Sequence, residues 1–224
     1  MTDAASVFNK IVSSRHSTRA YLPAEVPQAL LDKVFDIAQW APSNCNTQPW
    51  LTHIASGDVR DKLAGAMSGA LMEGKISMDF PYAGVYAGVY KERQYGAAQT
   101  LYAAVGIERG DKEGRQLQFM QNFNFFGAPH VAFIFMPEAF GLREACDVGM
   151  YAQTLMLAMT AHGLASCPQT ALSFNADGVR EILGVDSSEK LLFGISFGYP
   201  QVDADVNNAL TDRSNLDQST TFHR

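Results

Sequence analysis

Near the start of the chain, Ser13-Ser14-Arg15-His16-Ser17-Thr18-Arg19 crowds two guanidiniums, an imidazole and several hydroxyls together. A guanidinium offers a planar fork of N–H donors that matches phosphate oxygens, and serine hydroxyls add short donors beside it. In a chain of net charge -6 such a cluster suggests a bound anion. Its alternative is a solvated basic loop that offsets nearby acids, and composition by itself favours that alternative. A second run, Ala41-Pro42-Ser43-Asn44-Cys45-Asn46-Thr47-Gln48-Pro49-Trp50, carries side-chain amides that both donate and accept, which suits the edge of a heterocycle. Taken alone it reads more simply as an Asx-rich turn between a helix and a strand. A third, His162-Gly163-Leu164-Ala165-Ser166-Cys167-Pro168-Gln169-Thr170, leaves a long apolar stretch as an irregular loop, where ligands often meet backbone N–H groups. Cys167 is a nucleophile by type. No basic residue lies beside it in sequence, so a small buried apolar residue is the better reading.

Other chemistries are disfavoured. The stretch from Gly69 to Ile76 has P-loop spacing, but Ile76 stands where a Mg²⁺-binding hydroxyl is needed, and the residues before it look helical. No G-x-G-x-x-G run exists, which argues against a Rossmann domain. The histidines at 16, 53, 130, 162 and 223 show no H-x-x-x-H pair, and no metal is expected. Cys45, Cys146 and Cys167 are scattered, which fits a reducing cytosol better than a disulfide framework. The acidic balance and the lack of a Lys/Arg run disfavour nucleic acid and anionic lipid. No secretory signal is visible, so a cytoplasmic location is expected. Residues 148–176 contain no charged side chain, but Gln153, Thr154, Thr160, His162 and Gly163 interrupt them, so a buried helix is expected and no membrane span.

The elements that must position these residues follow from periodicity. Residues 4–13 read as a short helix, and 28–39 as an amphipathic one, with Leu30, Leu31, Val34, Phe35 and Ala38 at helical spacing. Alternation over 50–55 predicts a strand, and Asp58 can cap a helix running to about residue 72. Residues 80–90 give no clear assignment, and a helix is expected over 94–106. The uninterrupted β-prone run 131–136 predicts a buried strand, 143–162 a long apolar helix closed by Gly163, 177–183 a short helix, and 191–199 a second buried strand. Residues 201–224 are polar and expected to be extended. By composition alone they read as a frayed end. Helices dominate over a few separated strands, so the fold class is α+β.

The order and spacing of S-R-H-S-T-R, A-P-S-N-C-N-T-Q-P-W and G-L-A-S-C-P-Q, with F-F-G-A-P-H-V-A-F-I-F and G-I-S-F-G-Y-P between and after them, resemble the FMN-dependent nitroreductase family across nearly the whole chain. The resemblance implies a three-layer α-β-α sandwich in an intertwined homodimer. Residues 1–200 would form the flavin-binding domain, and 201–224 an extension that wraps the partner subunit. Two FMN sites would be shared between the subunits. By this likeness Arg15 and Ser17 hold the FMN phosphate, Arg19 reaches the N1/O2 edge of the flavin, and His16 touches it through its backbone. Pro42, Ser43, Asn44 and Asn46 contact the flavin from the other subunit. Pro168, Gln169 and Thr170 run beside the ring, with a backbone N–H near N5. Arg213 matches the family's late phosphate-binding arginine. Related sequences show N-x-x-R-T-x-R there, and Leu210 replaces one of those arginines.

The implied activity is NAD(P)H-dependent reduction of electron-poor acceptors such as nitroaromatics or quinones. It would run by a ping-pong mechanism with hydride transfer through flavin N5, using NADH or NADPH as transient co-substrate. No side chain is nominated as acid or base. The alternatives are other flavin chemistry on the same fold (reductive dehalogenation, enone reduction or flavin breakdown) or a non-catalytic flavin-binding dimer. Residues 73–95, with Met78, Phe80, Tyr82, Tyr86 and Tyr90, would either cover an aromatic substrate or pack the dimer.

Overall fold

The computed structural model describes residues 3–224. The apolar run at 131–136 is uninterrupted because both faces of its strand are covered. Four strands, β1 (Leu51–Ser56), β2 (His130–Pro137), β3 (Ala165–Gln169) and β4 (Glu189–Gly198), form one sheet in the order β1-β2-β4-β3, with every neighbouring pair antiparallel. From β2, Ala132, Ile134 and Met136 pack with helices α2 (Gln28–Ala38) and α6 (Leu142–Ala161), while Val131, Phe133 and Phe135 pack with α3 (Gly57–Met72) and α7 (Ala176–Leu183). This is the expected α+β class in three layers, helix on sheet on helix. A bulge where the β2–β4 register shifts between Ile134 and Phe135 lets Leu191 face one core and Ile195 and Phe197 the other. The six residues 131–136 are fully buried, and each large apolar side chain among them contributes about 1.5–3 kcal/mol of burial free energy.

Several elements differ from the sequence reading. The stretch 162–170 is not an irregular loop throughout. Gly163, at φ 77, closes α6, with Leu164 N donating to Met159 O at 2.9 Å and Gly163 N to Thr160 O at 3.2 Å. The chain then enters β3, an edge strand, where Pro168 is tolerated because one side of the strand needs no ladder donor. The helix expected over 94–106 is α4 (Gly88–Ala104), and the unassigned residues before it have no regular structure up to position 87. A further helix, α5 (Lys112–Met120), was not read. Asp111 caps it by accepting from Gly114 N at 2.8 Å, and none of its residues is buried. The tail is extended but carries two 3-10 turns, Asp205–Asn208 and Leu216–Gln218. Of the near-match to a P-loop, the first residues lie inside α3.

Two contacts make stability predictions. A Cβ at Gly194 would lie 2.5 Å from Leu172 Cδ1 and 2.9 Å from Leu172 Cβ, because the turn Thr170–Ser173 packs directly on β4. Gly194→Ala is therefore expected to lower unfolding free energy by about 1–3 kcal/mol, read from urea melts; an unchanged midpoint would contradict this close approach.

The buried ring of His130 accepts from Val26 N through Nε2 at 2.9 Å, so its neutral form carries the proton on Nδ1, 2.5 Å from Ser56 Oγ. Burial holds its pKa below the ordinary 6.5, against a smaller opposing pull from Glu25. The unfolded ring takes up a proton as pH falls through about 6.5 while the folded ring stays neutral. Its contribution is thus present in full above that value and declines below it. Urea midpoints from pH 7.5 down to 5 should fall, and the fall should be smaller in His130→Asn. Equal slopes would rule out this origin.

Candidate functional site

The basic segment is built onto the sheet edge. Helix α1 (Ala4–Ser14) ends as Arg15 N donates to Ile11 O at 3.2 Å, and the chain then runs extended. Ser17 pairs in parallel with Ser166, and Thr18 N donates to Ser166 O at 3.1 Å, so the segment lies along the open side of β3. Below it the buried Tyr21 hydroxyl meets Thr18 O at 2.8 Å and Ser196 O at 3.1 Å. Arg19 folds back, with Nη1 donating to Ser17 O at 3.2 Å and its guanidinium 5.9 Å from the centre of the Phe126 ring. His16 turns Nδ1 toward Ser14 O at 2.9 Å.

The electrostatics of this segment are one-sided. Arg15 is half-buried, and both its burial and the charge of Arg213 push its pKa down. Arg213 is exposed, its Nη1 bonding to Thr211 O and Oγ1 at 3.0 Å and Asp212 O at 2.8 Å. Among the described residues, no carboxylate lies within ion-pair reach of Arg15, Arg19 or Arg213. Beside them the buried Ser166 Oγ has no hydrogen-bond partner among the described residues. The buried hydroxyl and the partly buried Arg15 and Arg19 are costly unless an anion or a polar partner completes them. Cys167 is buried under the segment, and burial raises its pKa to about 11 against the opposing pull of Arg19, Ser17 and Arg15. It is a protonated thiol at neutral pH, not a thiolate nucleophile.

Gln169 turns inward, its Nε2 donating to Asn122 O at 3.0 Å and Oδ1 at 3.1 Å while its Oε1 accepts from Ser196 Oγ. Pro168 and Thr170 are exposed on either side of it.

The loop bearing Pro42, Ser43, Asn44 and Asn46 is a separate piece. Ser43 Oγ accepts from Gln48 N at 3.0 Å, and Asn44 N donates to the buried Asp147 Oδ2 at 2.9 Å. Cys45, Asn46 and Gln48 hold φ of 50, 57 and 48, three left-handed non-glycine residues in a stretch of four broken only by Thr47 at φ -71. Strain of this kind concentrates at functional sites. Within one chain the structure does not join this loop to the arginines. Its tether, Asp147, lies in the second turn of α6, whereas the basic segment pairs with the strand that follows that helix. From Asp147 to Ala161 the helix runs about 21 Å at about 1.5 Å per residue.

Two residues of the site escaped the sequence reading. Asn207 is buried, and its side chain takes four hydrogen bonds: Oδ1 from Arg19 N at 2.7 Å and Ala20 N at 3.1 Å, and Nδ2 to Ala20 O at 2.9 Å and Gln201 O at 2.8 Å. The only signal was an Asn in the motif that precedes Arg213. Asp147 carried no signal of its own, since its partner Asn44 lies 103 residues away. Elsewhere Asp79 fastens the residues ahead of α4, its Oδ2 accepting from Arg180 Nη1 at 2.5 Å and Leu191 N at 2.7 Å. Tyr82 follows, 6.1 Å from the Phe174 ring that ends the turn after Thr170. Among the described residues, no His/Cys/Asp/Glu cluster is arranged to hold a metal, and no helix is long and apolar enough to cross a membrane.

Comparison with known proteins places this arrangement. The model of the nitroreductase family matches residues 12–199. The nitroreductase NfnB of Mycolicibacterium smegmatis is 47% identical over 223 residues, covering 99% of this chain and 95% of that protein. A 4-nitrobenzoate reductase of Pseudomonas putida is 33% identical, covering 96% and 95%. The crystal structure of the FMN-dependent nitroreductase NfnB from Mycobacterium smegmatis in complex with NADPH aligns with a TM-score of 0.95 at 47% identity, covering 99% of this chain and 100% of that one. With the motifs in order and the three layers in place, the chain belongs to the nitroreductase family.

Proposed function

We propose that the chain is an FMN-dependent oxidoreductase that uses NADPH or NADH to reduce nitroaromatics and other electron-poor acceptors, and that it works as a homodimer. One observation carries the reading: the three guanidiniums of Arg15, Arg19 and Arg213, without carboxylate partners among the described residues, flank the open side of β3. The relatives named above, an FMN-dependent nitroreductase crystallised with NADPH and a 4-nitrobenzoate reductase, give the chemistry that fits it.

The donor set suits FMN. A phosphate dianion relieves the mutual repulsion of Arg15 and Arg213 and takes the Ser17 hydroxyl as a further donor. Exposed Pro168 and the backbone at Gln169 and Thr170 offer a narrow edge for the ring and an N–H toward N5. Arg19 holds positive charge toward the N1/O2 edge, where reduction accumulates negative charge, and contributes a few kcal/mol at most there, since it is only partly desolvated (about 1–4 kcal/mol at short range). FMN held there would supply the hydride chemistry that links NAD(P)H to the acceptor. The chain's own task is to bind, orient and exclude. No acid or base side chain is required of it, and Cys167 stays protonated.

A second chain completes the site. The strained loop with Pro42, Ser43, Asn44 and Asn46 stands apart from the arginines in its own subunit and is free to meet the partner's flavin. Apolar surface supports that assembly: α1 buries none of its residues and leaves Phe8 58% exposed, Trp40 is 86% exposed and Leu142 84%. In the tail, Leu216 and Phe222 are also exposed, in keeping with an extension that wraps a partner. Tyr82 and its neighbours then line an aromatic acceptor's side of the pocket.

Two measurements test this. Arg15→Ala should purify with little FMN and bind it about 10- to 100-fold more weakly, the worth of one charge-assisted contact to phosphate. Wild-type occupancy would count against the anchor. The wild-type protein should be yellow, bleach on anaerobic addition of NADPH, and give parallel double-reciprocal lines with 4-nitrobenzoate as the varied acceptor, since one site serves both substrates in turn. Intersecting lines would exclude the ping-pong order, and a spectrum that does not bleach would exclude the function.

A further inference from the structure

The tail reaches the flavin site twice, once through Arg213 and once through a residue with no charge at all. Asn207 is 8% exposed, and three of its four side-chain hydrogen bonds go to the segment that carries Arg19, the fourth to the base of the tail. One carboxamide oxygen collects the N–H groups of Arg19 and Ala20, and the amide nitrogen returns to Ala20 O and Gln201 O. Gln201 N in turn donates to Ala20 O at 3.0 Å, so the base of the tail and the basic segment are stitched on both sides. Arg19 and Ala20 lie just past Thr18, the last residue of the segment that bonds to Ser166 of β3. Without Asn207 the two N–H groups beyond that point have no acceptor among the described residues.

We infer that Asn207 is a positioning residue for flavin chemistry. It fixes the backbone from which the Arg19 guanidinium is aimed, and so couples the C-terminal tail to the electrostatics of the bound ring. The inference rests on the reading of Arg19 as the residue beside N1/O2. The turn that holds Asn207, Asp205–Asn208, also packs against α4, and Arg93 Nη2 of α4 donates to Gln218 Oε1 of the tail at 3.2 Å. The clamp therefore sits between the anchor of the cofactor and the helix beyond Tyr82. Packing alone would be satisfied by an apolar side chain of similar size at 207. Three directed hydrogen bonds to Arg19-Ala20, and a fourth to Gln201, are what a fixed backbone requires.

The test is a double-mutant cycle on full-length protein. FMN affinity of flavin-stripped protein and the midpoint potential of the bound flavin are measured for wild type, Arg19→Ala, Asn207→Ala and the double variant. Asn207→Ala is expected to weaken FMN binding about tenfold and to move the potential in the same negative direction as Arg19→Ala, by a smaller amount. On the Arg19→Ala background it should add less than about threefold, because its route to the flavin is already gone. Additive losses, or an unchanged potential in Asn207→Ala while Arg19→Ala shifts it, would overturn the inference and leave the Arg19 reading intact. If Arg19→Ala itself changes neither quantity, that reading falls and takes the inference with it. A packing defect alone would lower the melting temperature without moving the potential.

Should Asn207→Ala fail to fold, hydrogen exchange on the wild-type protein decides the point. The Arg19 and Ala20 amides should be protected before FMN is added, because their acceptor belongs to the protein. Fast exchange there, slowed only by FMN, would overturn the clamp.

Discussion

Everything proposed for this chain depends on one backbone pairing, between Ser17-Thr18 and Ser166. An edge strand exposes a row of unpaired donors and acceptors, and proteins must cover it or accept the risk of pairing with another chain. Here β3 is covered by the segment that carries the arginines. The same bonds that protect the edge thus place Arg15 and Arg19 where two cores meet the solvent. Sheet, edge and charge depend on one another: β4 holds β3, β3 holds the basic segment, and the segment's arginines have no carboxylate partner among the described residues.

The sequence displayed much of the scaffold because burial on both faces leaves a plain signature. Val131 through Met136 had to be a strand between two layers, and Gly163 had to close α6. What it hid was short or shared. β3 is five residues with a proline and small side chains, and nothing in Ala165-Ser166-Cys167 distinguishes an edge strand from a loop until β4 is beside it. α5 is nine residues long with only Leu117, Phe119 and Met120 apolar, all near its end, too short a pattern to announce a helix.

The site was legible in a different way. Alone, each motif looked like an ordinary loop, and only their order made Arg15, Ser17, Arg19 and the loop at 42–48 candidates together. Asn207 and Asp147 were out of reach, since local spacing carries no information about partners 188 and 103 residues away. The left-handed residues Cys45, Asn46 and Gln48 were equally hidden, because none of them is the glycine that would have advertised the conformation.

The long reach of Asn207 also orders events in time. Arg19 leaves the ribosome 188 residues ahead of the side chain that holds it. At about 5–20 residues per second that delay is roughly 10 to 40 s. Through that interval β4 is also missing for most of synthesis, so β3 has no inner neighbour and the basic segment no edge to cover. On the proposed function, a nascent chain has no formed pocket to offer a flavin, and cofactor capture would follow synthesis, after Asn207 has emerged and a second copy has been met.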